Sequence, residues 1–202
     1  DSLPLEEDNI LVSKVLSSPF GVGNSSFRVS DSACFADTAV YGLYKKSIFD
    51  EVGFFDERLV RNQDIDLHSR IRKAGYKFYF NPEIRAVYHT RSSVKKMIKQ
   101  AYGNGKWNMV LIKKGASALS LRHLVPFFFV TYLLLSIIGG FFWWPVWALC
   151  MVVLFLYFIM GYIAGSKKIY TIRERLKMSC LFFLLHSSYG IGYYAGLGHN
   201  LK

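Results

Sequence analysis

Residues Phe54 to Gly75 read FFDERLVRNQDIDLHSRIRKAG, a carboxylate-rich turn running into an amphipathic stretch. Phe54, Phe55 and Leu59 can anchor the turn in a core. Asn62, Gln63 and Asp64 stand at the head of a helix that continues through Ile65, Asp66, Leu67, His68, Arg70, Ile71 and Arg72. Leu67 and Ile71 are four apart and share one face. A carboxylate at a helix N-terminus is favoured by the free N–H groups and the helix dipole. Asp64 is thereby expected to be ionised and fixed in direction, as a general base must be. The bland alternative is a simple capping residue. Gly75 suits a C-terminal cap, with Arg72 and Lys73 in the last turn.

Working outward, composition shifts sharply along the chain. The 202 residues are 52% hydrophobic with a formal net charge of +11, and mean hydropathy is +0.22, high for a soluble domain. The apolar excess lies after Leu124. Leu124–Phe142 carries no charged residue and has about the roughly 20 residues needed to cross a bilayer core. Val146–Gly165 repeats the pattern, and Met178–Gly198 forms a weaker third stretch holding His186 and several glycines, which suggests helix packing. Trp143, Trp144 and Trp147 mark an aromatic belt at the intervening turn. Lys and Arg gather before Leu124 and across 166–177, so the positive-inside rule puts both on the cytoplasmic side and the C-terminal HNLK outside. The same rule accounts for the positive charge without nucleic acid. Cys34, Cys150 and Cys180 show no CxxC spacing, which suggests neither a zinc site nor a disulfide framework.

Between the two regions, Leu3–Leu16 has helical spacing, Ser17-Ser18-Pro19 stops it, and Phe20–Asn24 is a glycine-rich loop. Asp37–Tyr44, Tyr76–Phe80 and Ala86–His89 read as strands, and 45–53 as a short helix. Ser92–Lys114 is basic and amphipathic, with Val94, Met97, Ile98, Ala101 and Tyr102 opposite Lys95, Lys96 and Lys99. Such a segment suits a membrane interface.

The run Val52-Gly53-Phe54-Phe55-Asp56-Glu57, then Gln63-Asp64-Ile65-Asp66-Leu67 and Arg70, then Ala74-Gly75 resembles the C-terminal part of the catalytic domain of family 2 glycosyltransferases. Here Gln63 stands for the first carboxylate of the family's usual acidic pair. Ser18–Gly23, Gln100–Trp107 and His186–Gly192 resemble segments of membrane-bound enzymes of the succinoglycan (exopolysaccharide) type, with Lys106 where that pattern has Arg. The resemblance implies an α/β fold, the C-terminal half of a GT-A nucleotide-diphospho-sugar transferase, followed by an α-helical membrane region of about three transmembrane helices. It divides the chain into an acceptor-side half at 1–91, an interface segment at 92–123 and a membrane region at 124–202, with spans near 124–142, 146–165 and 178–198.

The implied activity is inverting transfer of a sugar from a nucleotide-sugar donor to a lipid-linked or polysaccharide acceptor at the inner membrane. Asp64 is the expected base. Gln63, Asp66, Gln100, Trp107 and Arg91 are expected substrate contacts, and His89 an expected metal or diphosphate contact. A divalent cation, Mg²⁺ or Mn²⁺, is expected to be bound mostly by residues outside this chain, since no upstream Asp-x-Asp follows a strand. The chain is on this reading a C-terminal piece, expected to be inactive alone. Membrane lipids and other polysaccharide-synthesis proteins are further implied partners. The competing expectation is a non-catalytic membrane anchor or assembly subunit that keeps part of the transferase.

Overall fold

The structure, a computed structural model, describes residues 2–3, 10–23, 32–36, 38–39, 41–84, 88–89, 93–115, 119, 121–165 and 171–201. In chain order the elements are β1 (Ser2–Leu3), α1 (Ile10–Leu16), α2 (Pro19–Val22), β2 (Cys34–Ala36), α3 (Lys46–Val52), α4 (Gln63–Lys73), β3 (Phe78–Phe80), β4 (Tyr88–His89), α5 (Val94–Lys113), α6 (Leu121–Phe142), α7 (Pro145–Ala164) and α8 (Ile172–Leu197).

Helices dominate, and this overturns the expected α/β fold. Among the described residues the strands pair only as two separate ladders. One is parallel, Ser2 with Tyr88 and Leu3 with His89; the other is antiparallel, Cys34 with Phe80 and Ala36 with Phe78. A GT-A core needs a continuous sheet covered by helices, and two- and three-residue strands cannot supply one. The stretch expected as a strand at 37–44 illustrates why. Its described residues are not strand, and Tyr41 sits at φ 56°, a left-handed value that breaks an extended run.

The organising contact is the pairing of α5 with α8, which run side by side in the same direction. Ser93 caps α5 by accepting the Lys96 N–H at 3.2 Å. Thr171 and Glu174 close a capping box at the start of α8. Small residues then let the two backbones approach. A Cβ on Gly105 would lie 1.9 Å from the Tyr189 carbonyl oxygen, one on Gly192 2.2 Å from that of Tyr102, and one on Gly196 2.4 Å from that of Lys106. At the near end of this seam, Met97 and Ala101 of α5 join Met178, Phe182 and Leu185 of α8 and Val12 and Val15 of α1 in one buried cluster.

This pairing also removes the third membrane span. Among the described residues only α6 and α7 are long and apolar enough to cross a membrane. α8 begins with Arg173, Glu174, Arg175 and Lys177, and its far end is tied to the lysine-rich α5. Lys113 Nζ donates to the carbonyls of Leu197 at 2.9 Å and His199 at 3.0 Å, and to Asn200 Oδ1 at 2.7 Å. Leu201 packs with Leu59, Trp107, Val110 and Leu111. His199, Asn200 and Leu201 therefore lie beside α5 and the Leu59 cluster, and not across a membrane from them.

α6 and α7 form a tight hairpin. Pro145 opens α7 at its first turn, where its missing N–H is harmless. Trp147 fills the notch left by Gly140 and donates from Nε1 to the Ile137 carbonyl at 3.2 Å. The hairpin roots against α8: Gly161 meets Ser179, Arg175 lies over the Tyr162 ring at 5.5 Å, and Phe127 packs on Tyr193 and Tyr194.

Because its new methyl would meet backbone, Gly192→Ala is expected to force α5 and α8 apart, costing on the order of 2 kcal/mol. Gly139→Ala, whose Cβ would meet only Val146 at 3.5 Å, serves as the tolerated control. Thermal unfolding of both variants in detergent checks the difference.

Candidate functional site

The stretch 54–75 folds much as its local chemistry dictates. α4 buries Leu67 and Ile71 against Ile48 and Phe78. It ends in a Schellman motif, with the Gly75 N–H on the Arg72 carbonyl at 3.0 Å and the Tyr76 N–H on that of Ile71 at 3.2 Å. Gly75 takes φ 88° to close it. At the other end Asn62 is left-handed, φ 61°, a conformation Asn tolerates better than most residues. Its side chain does not cap the helix. It reaches across to α5, donating to Asn108 Oδ1 at 2.6 Å and to the Asn104 carbonyl at 3.3 Å, while Arg61 donates to Asn104 Oδ1 at 2.9 Å.

A ladder of alternating charges locks the other side of the loop. Arg58 and Lys114 both hold Asp56, at 2.8 and 2.7 Å, and Lys114 and Arg70 both hold Asp66, at 2.8 and 3.1 Å. Arg70 also gathers the carbonyls of Val52, Gly53 and Phe54 at the end of α3. The hydrogen bond from Arg58, then that from Lys114, holds the Asp56 carboxyl well below the usual carboxylate range.

The sequence-selected residues are distributed unequally over this frame. Asp64 is exposed in the first turn of α4 and accepts the Ile65 N–H at 2.9 Å. Gln63 turns back to donate to the Leu59 carbonyl. Asp66 is buried, and both its oxygens carry cationic partners. Trp107 is buried in the Leu59 cluster with its ring edge-on to His199, centroids 5.1 Å apart. Gln100 lies about two turns earlier on α5, its Oε1 buried without a hydrogen-bond partner among the described residues. The His89 backbone pairs with Leu3. Arg91 lies outside the described residues. Asn62 thus brings the α4 head to the turn of α5 that carries Trp107, whereas Asp64 stands on the side facing Tyr44 and His68.

Sequence reasoning passed over His68. It is buried, with Nδ1 2.6 Å from Thr38 Oγ1 and Nε2 2.6 Å from Tyr44 Oη. Burial favours the neutral imidazole and lowers its pKa to about 4, against the opposing pull of nearby Asp64. The Tyr44 hydroxyl is correspondingly pushed up by burial and by Asp64. A second omission is the buried Asn108, whose Nδ2 donates to Tyr189 Oη at 2.7 Å and Tyr193 Oη at 3.1 Å; Tyr193 in turn donates to the His123 carbonyl at 2.8 Å. The spacing Gly192-x-x-x-Gly196 was the available signal for that close helix pair.

Among the described residues no three His, Cys, Asp or Glu side chains gather where they could hold a metal ion. Asp64 and Asp66 do not fit a divalent cation as a pair, because Asp66 is already neutralised by Arg70 and Lys114. With no α/β core among the described residues either, the expectation of an inverting GT-A glycosyltransferase is overturned. What the arrangement does do is fasten a helical cap to the α5–α8 pair.

Fold and site together define a helical protein with a membrane-type hairpin and a clamped polar cap. Its sequence relates it to glycosyltransferase and exopolysaccharide-biosynthesis proteins. It is 33% identical over 189 residues, 92% of this chain, to the dolichyl N-acetyl-alpha-D-glucosaminyl phosphate 3-beta-D-2,3-diacetamido-2,3-dideoxy-beta-D-glucuronosyltransferase of Methanococcus voltae. It is 28% identical over 109 residues, 54% of this chain, to the succinoglycan biosynthesis protein ExoA of Rhizobium meliloti (strain 1021). The matched regions cover 55% and 33% of those two proteins. No family model matches the chain, and no solved structure does.

Two outcomes are expected. Lys114→Met leaves Asp56 with Arg58 alone and the buried Asp66 with Arg70 alone and is expected to cost on the order of 2 kcal/mol, measured by denaturant unfolding in detergent. His68 binds its proton near pH 4 when folded but near 6.5 when unfolded. Stability is then fully present above pH 6.5 and falls towards pH 4 by up to about 3 kcal/mol. His68→Gln flattens that window, whereas the Asp56 contribution is lost only below the ordinary carboxylate range.

Proposed function

We propose that this chain is a non-catalytic membrane anchor and assembly element of a glycan-synthesis apparatus. The observation that carries the reading is that α8 returns both its ends to the α5 side, leaving α6 and α7 as a two-helix hairpin. A paired hairpin under a fastened polar cap is an anchor and a platform. The lysines of α5 and the basic residues 166–177 set against an uncharged 143–147 turn support a cytoplasmic cap on the inner membrane.

The two relatives support a place among glycan-building proteins. The family 2 and succinoglycan-type motifs support descent from the C-terminal part of such a membrane-bound protein. A lipid-linked acceptor is the favoured cargo of the apparatus, because the name of the Methanococcus relative specifies a dolichyl phosphate-linked sugar. The nucleotide-sugar donor and its divalent cation belong on this reading to a partner or to another part of the protein. The exposed apolar Val60, three residues ahead of the start of α4, offers a contact for that partner.

Asp64→Asn is expected to leave glycan output unchanged in cells that depend on this chain. Phe155→Lys, placing a charge at the middle of α7, opposes insertion by roughly 2.5–3.5 kcal/mol and is expected to reduce both membrane retention and glycan. Immunoblots of membrane fractions alongside glycan analysis check the pair. Loss of glycan in a folded, inserted Asp64→Asn protein would sink the anchor reading.

A further inference from the structure

A groove of about 540 Å³ runs between α1, the start of α5 and the first turns of α8. Its walls include Val12, Val94, Leu176 and Leu181, and Arg173 and Lys177 line it as well. We propose that this groove binds an anionic glycerophospholipid, with one acyl chain along the apolar walls and the phosphate between Arg173 and Lys177. The proposal rests on the membrane reading above, to which it adds a specific ligand.

Three observations support it. First, the groove has the polarity of an amphiphile. Residues 173, 176, 177, 180 and 181 fall on one stripe of α8 by helical periodicity, with the cations in its first turns and Cys180 and Leu181 further along. Arg173 and Lys177, four apart, are neighbours on that face, and both are exposed. The nearby Glu174 carboxylate is engaged as the cap of its own helix, accepting the Thr171 N–H and hydroxyl at 2.8 Å each.

Second, the stripe sits at headgroup depth. The last turn of α7 meets α8 here: a Cβ on Gly165 would lie 3.4 Å from the Met178 sulfur, and Arg175 covers Tyr162. The cations are therefore level with the end of a membrane-crossing helix, where anionic headgroups lie and each Lys or Arg strengthens the attraction. Third, the volume falls within the roughly 300–1,000 Å³ typical of small-molecule sites, yet the groove is lined almost wholly by carbon. An exposed apolar channel with a charged mouth has a natural occupant in the bilayer itself. Charge complementarity selects an anionic lipid over a zwitterionic one.

Cys180 lines the groove and is a free, exposed thiol, so it reports occupancy directly. The full chain carrying Cys34→Ser and Cys150→Ser is reconstituted in nanodiscs of phosphatidylcholine alone or with phosphatidylglycerol, and the rate of Cys180 alkylation by a maleimide is followed. Phosphatidylglycerol is expected to slow alkylation severalfold. Arg173→Gln/Lys177→Gln is expected to lower the preference for the anionic lipid by on the order of tenfold. Lys45→Gln/Lys46→Gln, which removes charge from exposed residues at the start of α3, is expected to leave the protection unchanged. Equal protection by phosphatidylcholine, or protection that survives Arg173→Gln/Lys177→Gln, overturns the proposal. So does protection by an added polyprenyl phosphate with none by phosphatidylglycerol. Extraction of the protein from the discs by alkaline carbonate would remove the membrane reading and the groove's ligand together. Retention with a lipid-insensitive Cys180 removes the ligand alone.

Discussion

The close approach of two backbones at Gly105, Gly192 and Gly196 governs this molecule. Where side chains are absent, dispersion contacts form between main chains and fix both the spacing and the register of α5 against α8. Register matters because polar groups ride on it. Asn108 meets Tyr189 and Tyr193 only if the helices are in this phase, and each buried hydroxyl or amide left without a partner would cost about 1–3 kcal/mol. The glycines therefore set the distance, and the Asn108 network penalises any slip along the seam.

From that seam the rest is hung at two levels. Below, α8 receives the hairpin through Gly161, Tyr157 and the Phe127 contacts. His186 takes part as a packing residue: its Nδ1 is 2.7 Å from Tyr157 Oη and its Nε2 3.1 Å from the Gly21 carbonyl, so it stitches α2 to the helices. Above, the loop at 53–62 is clamped from both ends, by Asn62 and Arg61 on α5 and by the charge ladder through Lys114. Lys114 stands just beyond α5, so α4 is fixed to the same helix that sets the seam. The carboxylates at 56 and 66 are thereby tied into the packing of the cap.

The sequence was most legible where structure is local. Leu67 and Ile71 on one face, a glycine stop at 75 and the tryptophan-rich turn at 143–147 are all short-range statements, decided by periodicity, left-handed backbone and the absence of charge. It misled where the outcome depends on a partner. Met178–Gly198 is apolar enough to suggest a span, but hydropathy cannot distinguish lipid from the flank of another helix. The glycines in that stretch pointed to close helix packing, and the spacing of Gly192 and Gly196 carried the answer. Strand propensity at 37–44 failed for a related reason. Aromatic and β-branched residues favour extension only when neighbouring strands accept their backbone groups, and the described ladders are too short to offer that.

The same distinction bears on Asp64. Its position in the first turn of α4 follows from sequence, and so does its favourable interaction with the helix dipole. Whether a carboxylate so placed performs chemistry depends on what stands opposite it, and helix propensity contains no information about that. Here the groups near Asp64 are a buried neutral imidazole and a raised tyrosine hydroxyl, both already hydrogen-bonded within the cap. Asp64 thus stands exposed beside a polar pair that is closed on itself. The apolar face and the glycine stop are needed for the helix itself regardless of what the helix presents, so the transferase-like run at 54–75 specifies the helix without specifying what stands opposite it.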